Sequence, residues 1–94
     1  MKLAALIHLP DGKWPWPGVI MAHGYGGRKE GKTGQLLLPK LSDFVFFQFD
    51  FHGHGESEGK FEDFDAAQAV DDLICAVDFV LGLPYVDNGR VALI

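Results

Sequence analysis

The stretch Gly53-His54-Gly55-Glu56-Ser57-Glu58-Gly59 contains the spacing G-x-S-x-G between Gly55 and Gly59. That spacing serves nucleophilic chemistry when a strand turns sharply into a helix and lifts the serine hydroxyl over the helix N-terminus. Neither condition holds around Ser57. Gly53 to Gly55 intervene after the preceding apolar run, and helical periodicity resumes only near Asp65. Glu56 and Glu58 flank the serine, so negative charge developing between them is destabilised, the reverse of what acyl transfer needs. Ser57 reads as a polar turn residue.

Three further groups have chemical potential. His52-Gly53-His54, with Asp50 and Glu56, is similar to the H-x-H-x-D-H stretch of metallo-β-lactamase-like enzymes. However, Glu56 stands where that pattern has aspartate, and Ser57 where it has the next histidine. Zinc takes three or four converging ligands. The alternatives are a zinc-dependent hydrolase using the His52/His54 loop, or loop histidines that hydrogen-bond the turn. Cys75 falls among Gln68, Asp71, Asp72 and Asp78 on the polar face of a predicted helix. A reactive thiolate wants a positive neighbour, and this flank is acidic. His23-Gly24-Tyr25-Gly26-Gly27 has three glycines in four residues, which permits positive φ and close approach of backbone to a ligand. Gly24-Tyr25-Gly26 and Gly53-His54-Gly55 are also G-x-G pairs, but Lys29 and Glu58 occupy the place of the third glycine, against a dinucleotide site.

These residues must be positioned by regular elements. Lys2 to Leu9 reads as a strand ended by Pro10-Asp11-Gly12, and Gly18 to Ala22 as a second strand paired antiparallel with it. A short helix is expected over Thr33 to Leu41, with Thr33 as its cap and Pro39 as a blemish. Phe44 to Phe51 is the strongest strand. Val45, Phe47, Phe49 and Phe51 share one face; Phe44, Phe46, Gln48 and Asp50 share the other. A run apolar on both faces suits a central parallel strand, and its second face turns polar at the C-terminal end, where ligands sit in open α/β sheets. Asp65 to Leu81 is the best helix, with Asp65 and Gln68 as a capping box and Gly82 and Pro84 as stops. Its apolar face holds Ala66, Ala69, Val70, Leu73, Val77 and Val80, and its acidic residues read as a solvated face. Asp87-Asn88-Gly89 is a turn, and Arg90 to Ile94 opens another buried strand. The order is an antiparallel hairpin, then strand-helix-strand-helix-strand, which points to an α/β fold with a mostly parallel sheet.

The bulk properties restrict partners. The 94 residues carry a net charge of −5, with no basic stripe, so nucleic acid and anionic membrane are not expected partners. The longest apolar runs are far too short to span a bilayer. The opening MKLAALIHL mimics a signal peptide, but His8 interrupts it and no small-residue cleavage site follows. The single cysteine excludes an internal disulfide and suits a reducing, cytoplasmic setting. Trp14 and Trp16, in an aromatic-proline loop, read as loop packing. A terminal apolar strand leaves an unpaired edge, through which self-association, or a non-catalytic interaction module, is a further possibility.

Three stretches, taken in order, resemble the α/β-hydrolase superfamily. Pro17 to Gly27 looks like the strand leading to its H-G oxyanion loop. Phe49-Asp50-Phe51-His52-Gly53-His54-Gly55-Glu56-Ser57-Glu58-Gly59 looks like its D-x-x-G-H-G-x-S loop, although position 52 is often arginine in similar loops. Asp71-Asp72-Leu73 through Asn88 to Ile94 looks like the helix and strand that lead into the nucleophile elbow. Within the superfamily the chain is most similar to feruloyl-esterase-like and acyl-aminoacyl-peptidase-like enzymes. The resemblance implies a single partial domain over residues 1–94, the N-terminal portion of the fold. It implies that the Tyr25 backbone N–H donates to an oxyanion, with Gly24 and Gly26 shaping the loop. It also implies that the nucleophile, acid and base lie outside this chain, which would then be inactive alone. The expected substrate is a small-molecule ester or acyl compound, with no cofactor and no metal.

Overall fold

The computed structural model describes residues 2–94. Its elements in chain order are β1 (Ala5–His8), β2 (Trp16–Ala22), α1 (Lys32–Leu37), a 3₁₀ turn (Leu38–Leu41), β3 (Val45–Phe49), a second 3₁₀ turn (Phe61–Asp63), α2 (Ala66–Leu81) and β4 (Val86–Leu93). All five residues of β3 are buried, as its two apolar faces require. It pairs parallel with β2, which in turn pairs parallel with β4. The sheet order is β1-β3-β2-β4.

The expected hairpin between the first two strands does not form. β1 pairs antiparallel with β3, placing Leu6 opposite Gln48 and Ile7 opposite Phe47. Both edges of β2 are taken by β3 and β4, so the outer edge of β3 is where β1 can join. The connection from Leu9 to Pro15 is also longer than the two-residue turns that favour hairpins.

Crossovers between parallel strands are right-handed. The chain moves one way from β2 to β3 and the other way from β3 to β4, so the two helices cover opposite faces. α2 packs over Ile20, Val45, Phe47 and Phe49 through Ala76 and Val80. On the other face, Gly34 of α1 lies against the side chains of Gln48 and Met21. The reversal makes the gap between β2 and β4 the topological switch point of the sheet.

Several boundaries differ from expectation for local reasons. α1 begins at Lys32 with Gly31 as its N-cap, not at Thr33. Gly31 already accepts the Gln35 N–H at 3.2 Å, which sets the first turn one step earlier. Pro39 lacks an amide proton, and the helix tightens there into the 3₁₀ turn. β4 starts at Val86, with a register irregularity between Trp16–Val86 and Gly18–Val91. The Asp87-Asn88-Gly89 turn survives inside it, because the Asp87 carboxylate accepts the Gly89 N–H at 3.0 Å and the Arg90 Nε–H at 2.7 Å. No helix among the described residues is long and apolar enough to cross a membrane.

The largest correction concerns α2. Asp65 caps it by accepting the Gln68 N–H, but the Gln68 amide turns forward to Asp72 Oδ1 at 2.9 Å and the capping box stays half-formed. Asp72 is not solvated: it is buried with Ala76 and Val80, whereas Ala66 and Val70 are exposed. Its second oxygen accepts the His52 N–H at 2.7 Å. A buried amide needs an acceptor, and that need rotates the buried stripe of the helix. Cys75 is exposed, as expected. Asp72→Ala is expected to cost about 1–3 kcal/mol in urea unfolding by orphaning the His52 amide. Asp71→Ala, on the exposed side, is expected to stay within about 0.5 kcal/mol. Equal effects would contradict the burial of Asp72.

Candidate functional site

Two loops meet at the carboxyl ends of the strands: residues 23–31 after β2 and 50–60 after β3. Asp50 ties them together. It is fully buried and directly follows β3, at the polar C-terminal end that the sequence pattern of Phe44–Phe51 indicates. One carboxylate oxygen accepts the Lys29 backbone N–H at 2.6 Å. The other accepts the Lys29 ammonium at 2.8 Å and the Glu56 N–H at 2.9 Å. Gly55 lets the second loop fold this closely: its φ is +49°, and a Cβ there would fall on the Asp50 carboxylate.

In the sequence Lys29 stands out only as the residue in place of a third glycine. Its side chain is 3% exposed, and it also reaches Glu56 at 2.7 Å and Glu30 at 3.3 Å. Burial pushes the Lys29 ammonium down, but hydrogen bonds to Asp50, Glu56 and Glu30 outweigh it and hold the group above the usual lysine range. Burial pushes Asp50 up, and the Lys29 ammonium with the Glu56 and Lys29 amides outweighs that too, leaving it below the usual carboxylate range. Oxygens of Glu30, Asp50 and Glu56 lie within 4.8 Å of one another. The cation among them is the lysine.

The histidines form a reciprocal clasp. His54 Nε2, from the second loop, accepts the Gly26 N–H of the first at 3.0 Å. His23 Nε2, from the first, accepts the Phe51 N–H of the second at 3.0 Å. The other nitrogens meet carbonyls: His54 Nδ1 donates to His52 O at 2.9 Å, and His23 Nδ1 to Gly24 O at 2.7 Å. Carbonyls only accept, so both rings carry their proton on Nδ1 and are neutral. The rings lie 4.9 Å apart. His54 packs against Phe61 and Phe64, and Tyr25 covers Phe61 at 5.0 Å.

The zinc reading does not survive this geometry. Both nitrogens of His54 are spent on backbone groups, and among the described residues neither His52 nor His54 joins a cluster of potential metal ligands. Ser57 is a staple. Its hydroxyl donates to Asp50 O at 2.6 Å, closing the second loop on its own first residue, and accepts the Ala4 N–H at 2.8 Å, joining that loop to the chain before β1.

The glycine loop is a tight turn. Gly27 N–H donates to Gly24 O at 2.8 Å, leaving Tyr25 and Gly26 at the centre. Gly26 has φ +78°, a value that suits glycine at the third position of such a turn. Among the described residues nothing accepts the Tyr25 N–H. Beside the turn lies a crevice of about 320 Å³, lined by Ala22 and His23 at the end of β2, Ile94 at the end of β4, and Gly24, Gly27, Arg28 and Lys32. It lies at the switch point, where open α/β sheets bind ligands. A larger groove of about 670 Å³ lies between α2 and the β1–β3 face, lined by residues of those elements and by Leu3.

No protein-family model matches the chain. It is 27% identical to an uncharacterized 31.7 kDa protein of the traX-finO intergenic region of Escherichia coli, and 29% identical to the uncharacterized protein YcjY of Escherichia coli strain K12. Each alignment covers 97% of this chain but only 32% and 31% of those proteins. The chain thus spans about a third of the length of the curated relatives it matches. Among solved structures, Est1E from Butyrivibrio proteoclasticus, determined with ferulic acid bound, superposes with a TM-score of 0.88 at 26% identity. That match covers 97% of this chain and 37% of Est1E. The α/β hydrolase GrgF from Penicillium sp. sh18 superposes at 0.74 with 20% identity, over 99% of this chain and 37% of its own. The chain has the fold of the N-terminal part of an α/β hydrolase.

The Asp50–Lys29 pair fixes a pH dependence. Asp50 is held below its ordinary value, so its stabilisation is present above about pH 4 and is lost as pH falls through the folded value. Lys29 is held above its ordinary value, so its contribution persists up to about pH 10 and is lost only at higher pH. The contribution of this pair to the urea midpoint is expected to be level between these limits and to fall below about pH 4. Asp50→Asn should lower the midpoint at neutral pH and flatten the acid decline. Parallel curves for the two proteins would contradict the assignment.

Proposed function

We propose that these 94 residues supply the oxyanion loop of a serine-type carboxylic ester hydrolase. The observation that carries this reading is the Tyr25–Gly26 turn. It closes the end of β2 beside the switch-point crevice, and its Tyr25 N–H has no partner among the described residues. A backbone donor held in place before reaction stabilises the charge that develops on a carbonyl oxygen; one such donor is worth about 2.7–4 kcal/mol in the transition state. Gly24 and Gly26 shape the turn, and the side chain at position 25 matters less than the path of the backbone.

In this reading the serine nucleophile, the histidine base and the acidic residue that orients it lie outside these residues. His23 and His54 serve the loops: both nitrogens of each are occupied by backbone groups. The substrate is a small-molecule ester, a class in keeping with the ferulic acid bound to Est1E. The reaction uses no metal or cofactor.

The 94-residue chain is expected to release p-nitrophenol from p-nitrophenyl acetate or butyrate no faster than buffer. Turnover that disappears in Ser57→Ala would overturn the reading and make Ser57 the nucleophile.

A further inference from the structure

We propose that the crevice between β2 and β4 binds a carboxylate, so that the substrates of the site are esters carrying a free carboxylate. This rests on the ester chemistry proposed above and names the substrate class.

The distribution of charge carries the inference. The chain has 13 acidic and 8 basic residues, yet the crevice is lined by Arg28 and Lys32 and by no aspartate or glutamate. Neither cation is spent elsewhere. The ion pairs among the described residues use Lys29, with Asp50, Glu56 and Glu30, and Arg90, with Asp87. The carboxylate nearest in sequence, Glu30, is thereby drawn to Lys29. His23 also lines the crevice, but its proton sits on Nδ1 and goes to Gly24 O, so it adds no charge.

A cleft lined by one sign of charge concentrates the opposite charge. Arginine matches a carboxylate with two parallel N–H groups, and lysine adds a compact charge beside it. The remaining lining includes Met21, Ala22 and Ile94. Those apolar walls suit the hydrocarbon part of a ligand, and the Tyr25–Gly26 turn at the rim would face its ester group. A free carboxylate at one end and an ester at the other satisfy both halves of the site.

Titration of the ¹⁵N-labelled chain with monomethyl glutarate and with its neutral diester, dimethyl glutarate, tests this. The hemiester is expected to shift the amides of Gly24, Gly27, Arg28 and Lys32, to bind more tightly than the diester, and to weaken at high salt. The double variant Arg28→Gln/Lys32→Gln is expected to bind the hemiester about fivefold more weakly. Equal binding of the two esters, or hemiester binding unchanged in the double variant, would overturn the proposal. The Tyr25 amide separates it from the oxyanion reading. A Tyr25 shift that is the same for both esters keeps the oxyanion reading and removes the carboxylate preference. Binding that depends on Arg28 and Lys32 without any Tyr25 shift keeps the carboxylate site and counts against the oxyanion role.

Discussion

The buried pair of Asp50 and Lys29 is the constraint on which the functional end of this molecule depends. Neither group gains from burial by itself: each loses its hydration, and only close geometry and additional donors offset that loss. The structure supplies both. The carboxylate takes two backbone N–H groups and the ammonium, and the ammonium reaches two further carboxylates. Removing one partner of such a pair costs about 3–5 kcal/mol because the other is left buried and uncompensated. The pair therefore acts less as a source of stability than as a demand. Lys29 must return to Asp50, and the chain from His23 onward must follow a path that lets it.

The histidine clasp answers the same demand from the other side. Each loop offers one amide to a ring on the other loop, and each ring spends its second nitrogen on a carbonyl of its own loop, that of Gly24 for His23 and that of His52 for His54. The two loops consequently behave as one polar unit above the sheet. This arrangement fixes the backbone on either side of Tyr25, and such preorganisation is what the proposed oxyanion role asks of that amide. Ser57 extends the unit to the chain before β1. The hydroxyl of Ser57 thus serves hydroxyl-to-backbone stapling, a role different from nucleophilic attack.

Much of the scaffold was legible in the sequence. The two apolar faces of Phe44–Phe51 announced a central strand, and the polar Asp65 start and Gly82 stop framed α2 within a residue or two. Strand pairing was not legible in the same way. The sequence near β1 is a mostly apolar run that carries no information on which edge it meets, and the nearest strand in sequence is not its neighbour. Asp72 was misread because helical periodicity ranks positions by polarity, whereas its burial is dictated by a distant amide at His52. Lys29 was missed for a related reason. A lysine in a glycine-rich loop looks solvated, and its partners lie 21 and 27 residues away. The one available signal was Asp50 itself, an acidic residue ending a strand with no polar neighbour before Gln48, which needed a cation from somewhere.

The central claim is that one carboxylate holds both loops in register. Amide hydrogen exchange on Asp50→Ala tests it most directly, since exchange resolves local opening from global unfolding. The account predicts that Gly26, Lys29, His54 and Glu56 lose protection together, while Ile20 and Phe47 in the β2–β3 ladder keep theirs. Loss of protection confined to Lys29 and Glu56, with Gly26 and His54 unchanged, would contradict it.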